Sequence, residues 1–395
     1  MRPPAAGKSP LGIVFLTVFL DLVGFGIVIP LLPLYAQRFG AGPVTVTWLL
    51  AVYSLMQFLF APMWGRISDR VGRRPVLLLG LFGSAATYLA FGLAGSLPVL
   101  FAARAANGLA GANIGVAQAY VADVTGPEER ARGMGIIGAA FGLGFIIGPA
   151  VGGMMSRWGF AAPFLAAAAV TLANALLAVV LLPESLPPER RQAHPRGFGL
   201  GDRLRALVGR GMPGRLRALY AAGFLVTLAI AAMEATFSLW ADARWHFTRH
   251  GIAYVFAFIG IVSALAQGAL VGRVVKRTGE TRTALLGIAL IAAGLAATAL
   301  APGLALLLAA LALVALGQGM ASPSMSSLIS HQGGAGEQGR LLGIYQSLSA
   351  LGRVAGPMLG GVALAHVGLA APWLAASGIA VAAGAVLLAL AGGAA

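Results

Sequence analysis

The chain has 395 residues, of which 59% are hydrophobic and only 10% are charged, and its mean hydropathy is +0.87. A soluble protein of this size carries about a quarter charged residues, so the composition excludes a large soluble helical protein. The formal net charge is +15, which would suggest nucleic-acid binding in a soluble protein, and the absence of cysteine excludes disulfides, thiolate nucleophiles and cysteine metal sites.

Apolar segments of about 20 residues, each long enough to cross a bilayer core, follow one another along the whole chain. They predict an all-α membrane protein with twelve transmembrane helices. The first segment carries Asp21 and is too long for a signal peptide, so we interpret it as retained. We number the predicted spans 1 to 12 in the order 11–34, 44–64, 75–94, 98–121, 133–156, 160–182, 217–240, 250–271, 283–301, 303–328, 340–366 and 369–391.

The basic residues are distributed unevenly between the two faces of the membrane. Twelve spans place both termini on one side, and 21 of the 27 lysines and arginines fall on that side. The opposite side holds only Arg38, Arg157, Arg244 and Arg249. Basic loops mark the cytoplasmic side of a membrane protein. We therefore expect a multi-pass protein of the cell inner (plasma) membrane with both termini cytoplasmic, and no nucleic acid as a partner.

A cluster of charges separates spans 2 and 3. The stretch from Gly65 to Pro75 packs four arginines and one aspartate between two apolar segments. Each charge would cost several kcal/mol in hydrocarbon. The stretch is therefore expected to lie at the membrane surface, as a short hinge that holds two spanning helices in a tight turn.

Two stretches of the chain are repeated about half its length further on. The hinge returns at 272–279 with an offset of 207, and 144–153 returns at 352–361 with an offset of 208. Arg132 and Gly135 map to Arg340 and Gly343 at the same spacing. Such internal repetition is typical of secondary transporters. It predicts two pseudo-symmetric bundles of six helices, at 1–182 and 217–395.

The segment 183–216 joins these two bundles as a cytoplasmic linker. It is rich in proline and arginine, and Leu200, Leu204, Leu207 and Val208 fall on one helical face. This pattern suits a short helix on the membrane surface, and a flexible linker is an equally good interpretation.

Four stretches carry a resemblance to a known family. Residues 19–33 are similar to the span 1 signature of the twelve-helix drug/proton antiporters, and 53–75 to the motif between spans 2 and 3 of the major facilitator superfamily. Arg104 with Asn107, Gly108 and Gly111 resembles the span 4 motif, and 144–153 resembles the span 5 motif of antiporters. Over essentially its whole length the chain resembles this superfamily, and within it the tetracycline efflux proteins most.

The resemblance implies a secondary active transporter. It implies a proton-coupled antiporter that exports a drug-like amphipathic small molecule by alternating access, with spans 1, 4, 7 and 10 around a central cavity. It also implies a monomer in the lipid bilayer, without enzymatic activity or a cofactor. Tetracycline exporters are known for an essential carboxylate in span 9, whereas 283–301 contains neither Asp nor Glu, which leaves tetracycline open as a substrate.

Other functions of a membrane protein are compared here with the residues of the chain: other modes of transport, enzymatic activity and a channel. A uniporter or a proton symporter of a small metabolite could share the fold. A membrane enzyme is disfavoured because the five histidines are scattered over loops and helix ends, without a nucleophile–base group or metal-ligand spacing. A channel is disfavoured because nothing resembles a selectivity filter.

Two carboxylates lie well inside the predicted spans, Asp21 in span 1 and Glu234 in span 7. Desolvation favours the neutral form of a carboxyl, so each is a candidate proton carrier, with a structural hydrogen bond as the alternative. Glu234 lies nearer the outer end of its span, so substrate binding is an equal alternative for it. Arg104 is a charge inside span 4 that needs a partner. We predict that it lowers or gates the proton affinity of a nearby carboxylate, Asp21 being the candidate, and the alternative is an inert structural ion pair.

Polar and aromatic residues of the spans are candidates for the substrate cavity. Asn107, Gly111 and Gln118 follow Arg104 on one helical stripe, which we predict to face the cavity. Arg353 of span 11 has no counterpart at Phe145 and could contact an anionic substrate. Small polar residues also join membrane helices, and aromatic residues often serve packing. The remaining cavity candidates are Gln57, Tyr254, Phe258, Gln318 and Ser322, with Trp240, Gln267 and Ser326 as further ones.

The hinge is expected to act as a conformational latch. Asp69 can interact with the positive N-terminal end of a neighbouring helix, and the resemblance points to span 11 near Gly339–Gly343. The second copy has Lys276 in place of Asp69, so the latch should be one-sided. The predicted latch comprises Gly65, Asp69, Arg70, Gly72, Arg73 and Asp123. Residues predicted to pack or bend spans 5 and 11 are Gly144, Gly148, Pro149, Gly352, Gly356 and Pro357.

Overall fold

The structure is a computed structural model that describes residues 10–111, 114–125, 130–191, 212–333 and 338–392. The described chain is built of α-helices, which form twelve spans. Ten of them meet the length and hydropathy expected of a membrane span. Spans 1, 4, 8 and 9 are described in the next two paragraphs. The other eight are span 2 (Pro43–Val71), span 3 (Arg73–Gly92), span 5 (Arg130–Met155), span 6 (Ala161–Leu181), span 7 (Gly214–Trp245), span 10 (Leu304–Ser330), span 11 (Gln338–His366) and span 12 (Ala371–Gly392).

Three spans are interrupted, and the interruptions were not predicted. Span 1 consists of Pro10–Val28 and Leu32–Gln37, because proline at positions 30 and 33 removes helical donors and restricts the residue before it. Span 4 consists of Leu97–Ala110 and Ile114–Val124. Span 8 runs from Arg249 to Thr278 through a π-helical turn at Ala266–Leu270.

Span 9 (Glu280–Leu300) begins three residues earlier than predicted. It therefore starts with an acidic residue, whereas 281–300 contains neither Asp nor Glu. The carboxylate of Glu280 lies at the end of the span that faces the chain termini, not in the middle of the membrane. The absence of an acid inside span 9 thus holds for the observed helix as well.

The hinge between spans 2 and 3 is much shorter than predicted. Span 2 continues as a helix to Val71, and span 3 begins at Arg73, so Gly72 alone makes the turn. Its φ of +108° is a conformation that residues with a side chain rarely adopt. Gly279 makes the same turn between spans 8 and 9 with a φ of +80°. The repeat detected in the sequence is therefore a repeat of backbone geometry.

Two rows of glycines, which we call the glycine seams, let neighbouring spans pack closely. In span 5 a Cβ atom on Gly148 would lie 2.7 Å from the Cα of Gly26 in span 1. In span 11 a Cβ atom on Gly356 would lie 2.5 Å from the carbonyl oxygen of Leu228 in span 7. Gly144 and Gly152 extend the first seam, as Gly352 and Gly360 extend the second. The predicted packing glycines thus hold span 5 to span 1 and span 11 to span 7, and Pro149 and Pro357 lie inside these helices.

The two halves of the molecule meet at the end opposite to the termini, which we call the far end. Gly361 of span 11 lies against Thr47 of span 2, and a Cβ atom on Gly153 of span 5 would lie 2.6 Å from the Cβ atom of Ala253 in span 8. Ser238 of span 7 donates a hydrogen bond of 3.0 Å to the carbonyl of Pro30, which the interruption of span 1 leaves available. The far end is therefore closed.

At the opposite end, which we call the terminus end, the described parts of the halves are separated. A Cβ atom added to Gly65, Gly272 or Gly343 would meet no other heavy atom within 4 Å. The last turns of span 8, Val271–Thr278, contain no buried residue. Within the described residues, the structure is thus a conformation that opens towards the terminus end. The surface helix predicted around Leu200–Val208 lies outside the described residues.

Candidate functional site

Arg104 is buried at the centre of the first half. It is 3% exposed, and its guanidinium lies 4.3 Å from the centre of the Tyr53 ring and 5.9 Å from that of Phe25. No carboxylate lies within 4.0 Å of it among the described residues. The charge is therefore balanced by aromatic faces, a favourable arrangement for arginine away from water. The alternative of a structural ion pair does not describe this conformation.

Asn107 orients Arg104 from one turn further along span 4. Its Oδ1 accepts a bond of 3.5 Å from Arg104, and its Nδ2 donates a bond of 2.8 Å to Thr87 of span 3. With 1% exposure, Asn107 contacts span 3 and does not line an open surface.

The single stripe predicted for span 4 is wrong, because the span is interrupted after Ala110. Gln57 of span 2 donates a bond of 3.0 Å to the carbonyl of Gly111 at this interruption, and another of 3.0 Å to the hydroxyl of Tyr53. Gln118 lies on the following helix and is exposed, whereas Asn107 is buried. The residues of the predicted stripe thus have different surroundings.

Asp21 lies on span 1, near Tyr53 and Tyr88. Its Oδ1 atom is buried and has no hydrogen-bond partner among the described residues. Its electrostatic neighbours include the phenols of Tyr53 and Tyr88, and the same two tyrosines neighbour Arg104. Asp21 and Arg104 are therefore linked through tyrosines and are not in direct contact. An unpartnered buried oxygen favours a protonated carboxyl or one that acquires a partner during the cycle.

The second half contributes Glu234 of span 7 and Arg353 of span 11. Each is half-buried, and each is an electrostatic neighbour of the other. They do not form an ion pair within 4.0 Å in the described structure. Arg353 also neighbours Tyr53 of the first half. The two halves thus bring an acid and a base each to the same region, with Tyr53 between them.

The remaining cavity candidates are distributed over spans 8 and 10. Tyr254 is 55% exposed, and Phe258 and Gln318 are half-buried. Ser322 is exposed, and its carbonyl accepts a bond of 3.1 Å from Ser326. Trp240 is not a cavity residue, because it is 2% exposed and packs 4.9 Å from the ring of Trp373.

The predicted latch residues meet around Arg73 at the terminus end. The Arg73 guanidinium contacts Asp69 and lies 3.0 Å from Oδ2 of Asp123 at the end of span 4. It also donates a bond of 2.7 Å to Ser68, whereas Arg70 is exposed. Among the described residues no contact between Asp69 and span 11 is observed, and Gly343 lies in open space. The network is therefore complete within the first half while the terminus end is open.

Glu184 belongs to this network and was not predicted. Its carboxylate accepts bonds of 2.8 and 3.2 Å from the backbone amides of Arg73 and Arg74, the first residues of span 3. An acid at a helix N-terminus satisfies free amides and interacts favourably with the helix dipole. The signal available in the sequence was a lone acidic residue directly after span 6.

The second half has a contact between an acid and a histidine at the corresponding place. Glu280 at the start of span 9 lies 3.3 Å from Nδ1 of His331 at the end of span 10, and it also accepts a bond from Ser327. Glu280 and His331 correspond to Arg73 and Asp123 at the repeat offsets of 207 and 208. The expectation of a one-sided latch is therefore incomplete, because the second half has its own side-chain pair, with an acid at the position of Arg73 and a histidine at that of Asp123.

Comparison with known proteins identifies the family. The model of the Major Facilitator Superfamily matches residues 14–244 and 219–392. The chain belongs to this superfamily. It is 35% identical to the "Tetracycline resistance protein, class C" of Escherichia coli over 353 residues, which cover 87% of this chain and 86% of that protein. It is 30% identical to the "Multidrug resistance protein 2" of Bacillus subtilis (strain 168), with 87% of this chain and 84% of that protein covered.

Solved structures show the same fold. The human organic anion transporter MFSD10 (TETRAN) matches with a TM-score of 0.76 and 28% identity, covering 98% of this chain and 100% of that chain. A peptide transporter POT in complex with sulfate matches with a TM-score of 0.80 over 99% of this chain and 96% of that chain, and its 17% identity supports the fold alone. This major facilitator protein is therefore a multi-pass membrane transporter of small molecules and not an enzyme.

Proposed function

We propose that this transporter is a proton-coupled antiporter that exports a drug-like amphipathic small molecule. Its central charges would serve two tasks: Asp21 carries the proton, and Glu234 with Arg353 contacts the substrate. The two relatives named for tetracycline and multidrug resistance support export as the direction. The monomer contains all of these residues in one chain, which supports a monomer as the functional unit.

The observation that carries this proposal is the surroundings of Asp21. Its Oδ1 is buried without a partner, next to two tyrosines and away from Arg104. An ionised carboxylate left in this way costs much more free energy than a protonated carboxyl does. Access to water on alternating sides would therefore load and unload a proton at this position.

The open terminus end fits one step of such a cycle. If the basic terminus end is cytoplasmic, as the distribution of Lys and Arg supports, the structure is the inward-facing conformation. In this state substrate enters from the cytoplasm and the proton leaves to it. The outward-facing state would then require separation of Thr47 from Gly361 and approach of the hinge to span 11.

A flux measurement on purified protein tests the proposal. Proteoliposomes with an imposed pH gradient are loaded with tetracycline, the cation ethidium or the anion fluorescein, and probe and proton movements are recorded together. We expect opposite fluxes of proton and at least one probe. We expect Asp21→Asn to abolish uphill movement, whereas Asp242→Asn, an acid at the far end of span 7, should transport normally.

Other results would reject the proposal. Parallel fluxes would indicate a symporter, and probe movement without proton movement would indicate a uniporter. Full-rate, pH-sensitive extrusion by Asp21→Asn would show that this carboxyl does not couple transport to protons. Opposite fluxes of protons and fluorescein alone would agree with the proposal and assign an organic anion as the substrate, for which Arg353 supplies the positive charge.

A further inference from the structure

Tyr53 of span 2 lies between the charged residues of the two halves. Its side chain is 8% exposed, and Arg104 lies against its ring. Cβ atoms on Gly108 and Gly111 would collide with it. These two glycines therefore let span 4 hold the phenol closely beside Arg104.

The packing of spans 2 and 11 places Tyr53 and Arg353 at similar depth. The spans run in opposite directions and meet where Gly361 lies against Thr47. With a rise of about 1.5 Å per residue, Tyr53 lies about 9 Å from this contact along span 2, and Arg353 about 12 Å along span 11. Both displacements lead towards the terminus end. The electrostatic interaction between Tyr53 and Arg353 agrees with this placement.

Asp21 is connected to Tyr53 from the other side. Phe25, one turn further along span 1, places its ring 5.1 Å from that of Tyr53. Tyr88 of span 3 also neighbours Asp21 and Arg104, but its interactions do not include Arg353. Tyr53 is therefore shared by the charges of both halves, and Tyr88 belongs to the first half only.

We propose that Tyr53 is a positioning residue that transmits the charge of Asp21 in the first half to Arg353 in the second half. The proposal rests on the proton-coupled function proposed above. It adds the link between the residue that carries the proton and the residue that contacts the substrate. Because the link crosses the interface of spans 2 and 11, it joins chemistry in one half to a site in the other.

The hydrogen bonds of Tyr53 give this link a physical basis. Gln57 donates to the phenol oxygen at 3.0 Å, so the hydroxyl hydrogen of Tyr53 is not used in that bond. In the proposed link, the O–H bond of Tyr53 rotates towards Asp21 when Asp21 is ionised and rotates away when Asp21 is protonated. The phenol dipole that Arg353 faces changes with it, and the Arg353 guanidinium then favours a different position.

The other groups around Asp21 leave few competing routes. Tyr53 and Tyr88 neighbour it from spans 2 and 3, and Arg104 of span 4 lies beyond these two tyrosines. Arg353 and Glu234 lie beyond Tyr53 in the second half. Residues 140–155 of span 5 and the whole of span 6 pack against span 1 and contain no ionisable residue.

A conformational measurement without substrate tests the link. The chain has no native cysteine, so spin labels on Val71→Cys and Lys276→Cys report the distance between spans 2 and 8 at the terminus end. The pH at which half of the molecules are open is the midpoint. Removing a positive charge by Arg353→Gln disfavours ionised Asp21, so we expect the midpoint to rise by about half a pH unit.

The tyrosine variants decide the outcome. When Arg353→Gln is added to Tyr53→Phe, the midpoint should shift by less than half of the shift that Arg353→Gln causes alone. When it is added to Tyr88→Phe, the full shift should remain. If Tyr53→Phe does not fold, Gln57→Leu removes the bond that holds the phenol and should reduce the shift in the same way. If the effect of Arg353→Gln is undiminished in whichever of Tyr53→Phe and Gln57→Leu folds, the inference is overturned. It is also overturned if Tyr88→Phe reduces the effect of Arg353→Gln equally.

The design also separates this inference from the proposed function. If Asp21→Asn leaves the pH response unchanged, Asp21 is not the proton site and the proposed function fails with it. If Asp21→Asn abolishes the response but Tyr53→Phe does not reduce the Arg353 effect, only the link through Tyr53 is wrong. A wild-type distance that does not depend on pH overturns the inference directly.

Discussion

At the scale of single residues, the role of Arg104 depends on the shape of its guanidinium as well as on its charge. Its Cζ lies 4.3 Å from the centre of the Tyr53 ring and the group donates a bond to Asn107, a pair of contacts that suits the guanidinium of arginine. A lysine at this position would keep the charge but lose most of the stacking. Since a desolvated cation–π contact is worth about 2 kcal/mol, this loss is large enough to change transport.

We therefore expect Arg104→Lys to lower the rate of pH-driven transport roughly tenfold, which corresponds to about 1.4 kcal/mol. Initial rates in proteoliposomes measure the effect. Arg38→Lys is the control, because Arg38 also lies over an aromatic ring, Phe160, but is exposed at the far end. Normal transport by Arg104→Ala would mean that the charge has only a structural role.

A second prediction at this scale concerns the glycine seams. A Cβ atom on Gly148 would lie 2.7 Å from both the Cα of Gly26 and the carbonyl oxygen of Val23. Gly148→Ala should lower the free energy of unfolding by about 1–3 kcal/mol, because backbone cannot move aside as a side chain can. Thermal unfolding in detergent measures the change. Gly378→Ala, in open space on span 12, should be neutral or stabilising, and equal effects of the two variants would contradict the prediction.

At the scale of whole helices, the start of span 3 depends on a residue far from it in sequence. Glu184 follows span 6 and binds the first two amides of span 3, next to the positive φ of Gly72. A neutral amide would accept these bonds more weakly and would lose the interaction with the helix dipole.

Glu184→Gln is therefore expected to reduce stability by about 0.5–2 kcal/mol, the usual range for losing a helix N-cap. Chemical or thermal unfolding of the purified protein tests this value. Glu189→Gln, an exposed acid a few residues further on, should have no measurable effect. A similar loss in both variants would show that net charge, and not capping of span 3, is responsible.

Sequence reasoning found the helices but not their interruptions, for a physical reason. The length of an apolar segment is a local property, so all twelve spans could be predicted. The interruption of span 4 at Gly111 involves a bond from Gln57, 54 residues away, which no local pattern contains. Span 1 was different, because Pro30 and Pro33 were visible and their effect on the helix was underestimated.

The same distinction applies to the candidate site. Asp21, Arg104 and Glu234 could be identified because a charge inside an apolar helix stands out. That Tyr53 lies between them could not be seen, since a tyrosine in an apolar helix is ordinary and its role depends on which helices meet. The pair of Glu280 and His331 could have been found by applying the repeat offset to Arg73 and Asp123.

At the scale of the whole molecule, the closed far end depends on close contact between small residues of the two halves. Gly153→Leu should prevent span 5 from meeting Ala253 and shift the population towards molecules closed at the terminus end. The distance between labels on Val71→Cys and Lys276→Cys should then shorten. Gly42→Leu, a far-end position in open space, should leave this distance distribution unchanged. An unaltered distribution in Gly153→Leu would show that this contact does not keep the far end closed.

The Arg73–Asp123 and Glu280–His331 pairs occupy corresponding places but differ in their residues. The two halves nevertheless share their turns and glycine seams, as two copies of one unit would. A recombination event that overwrote the second half with the first would place arginine where Glu280 now stands. The two halves are thus no longer interchangeable, and the sequence of one cannot replace that of the other.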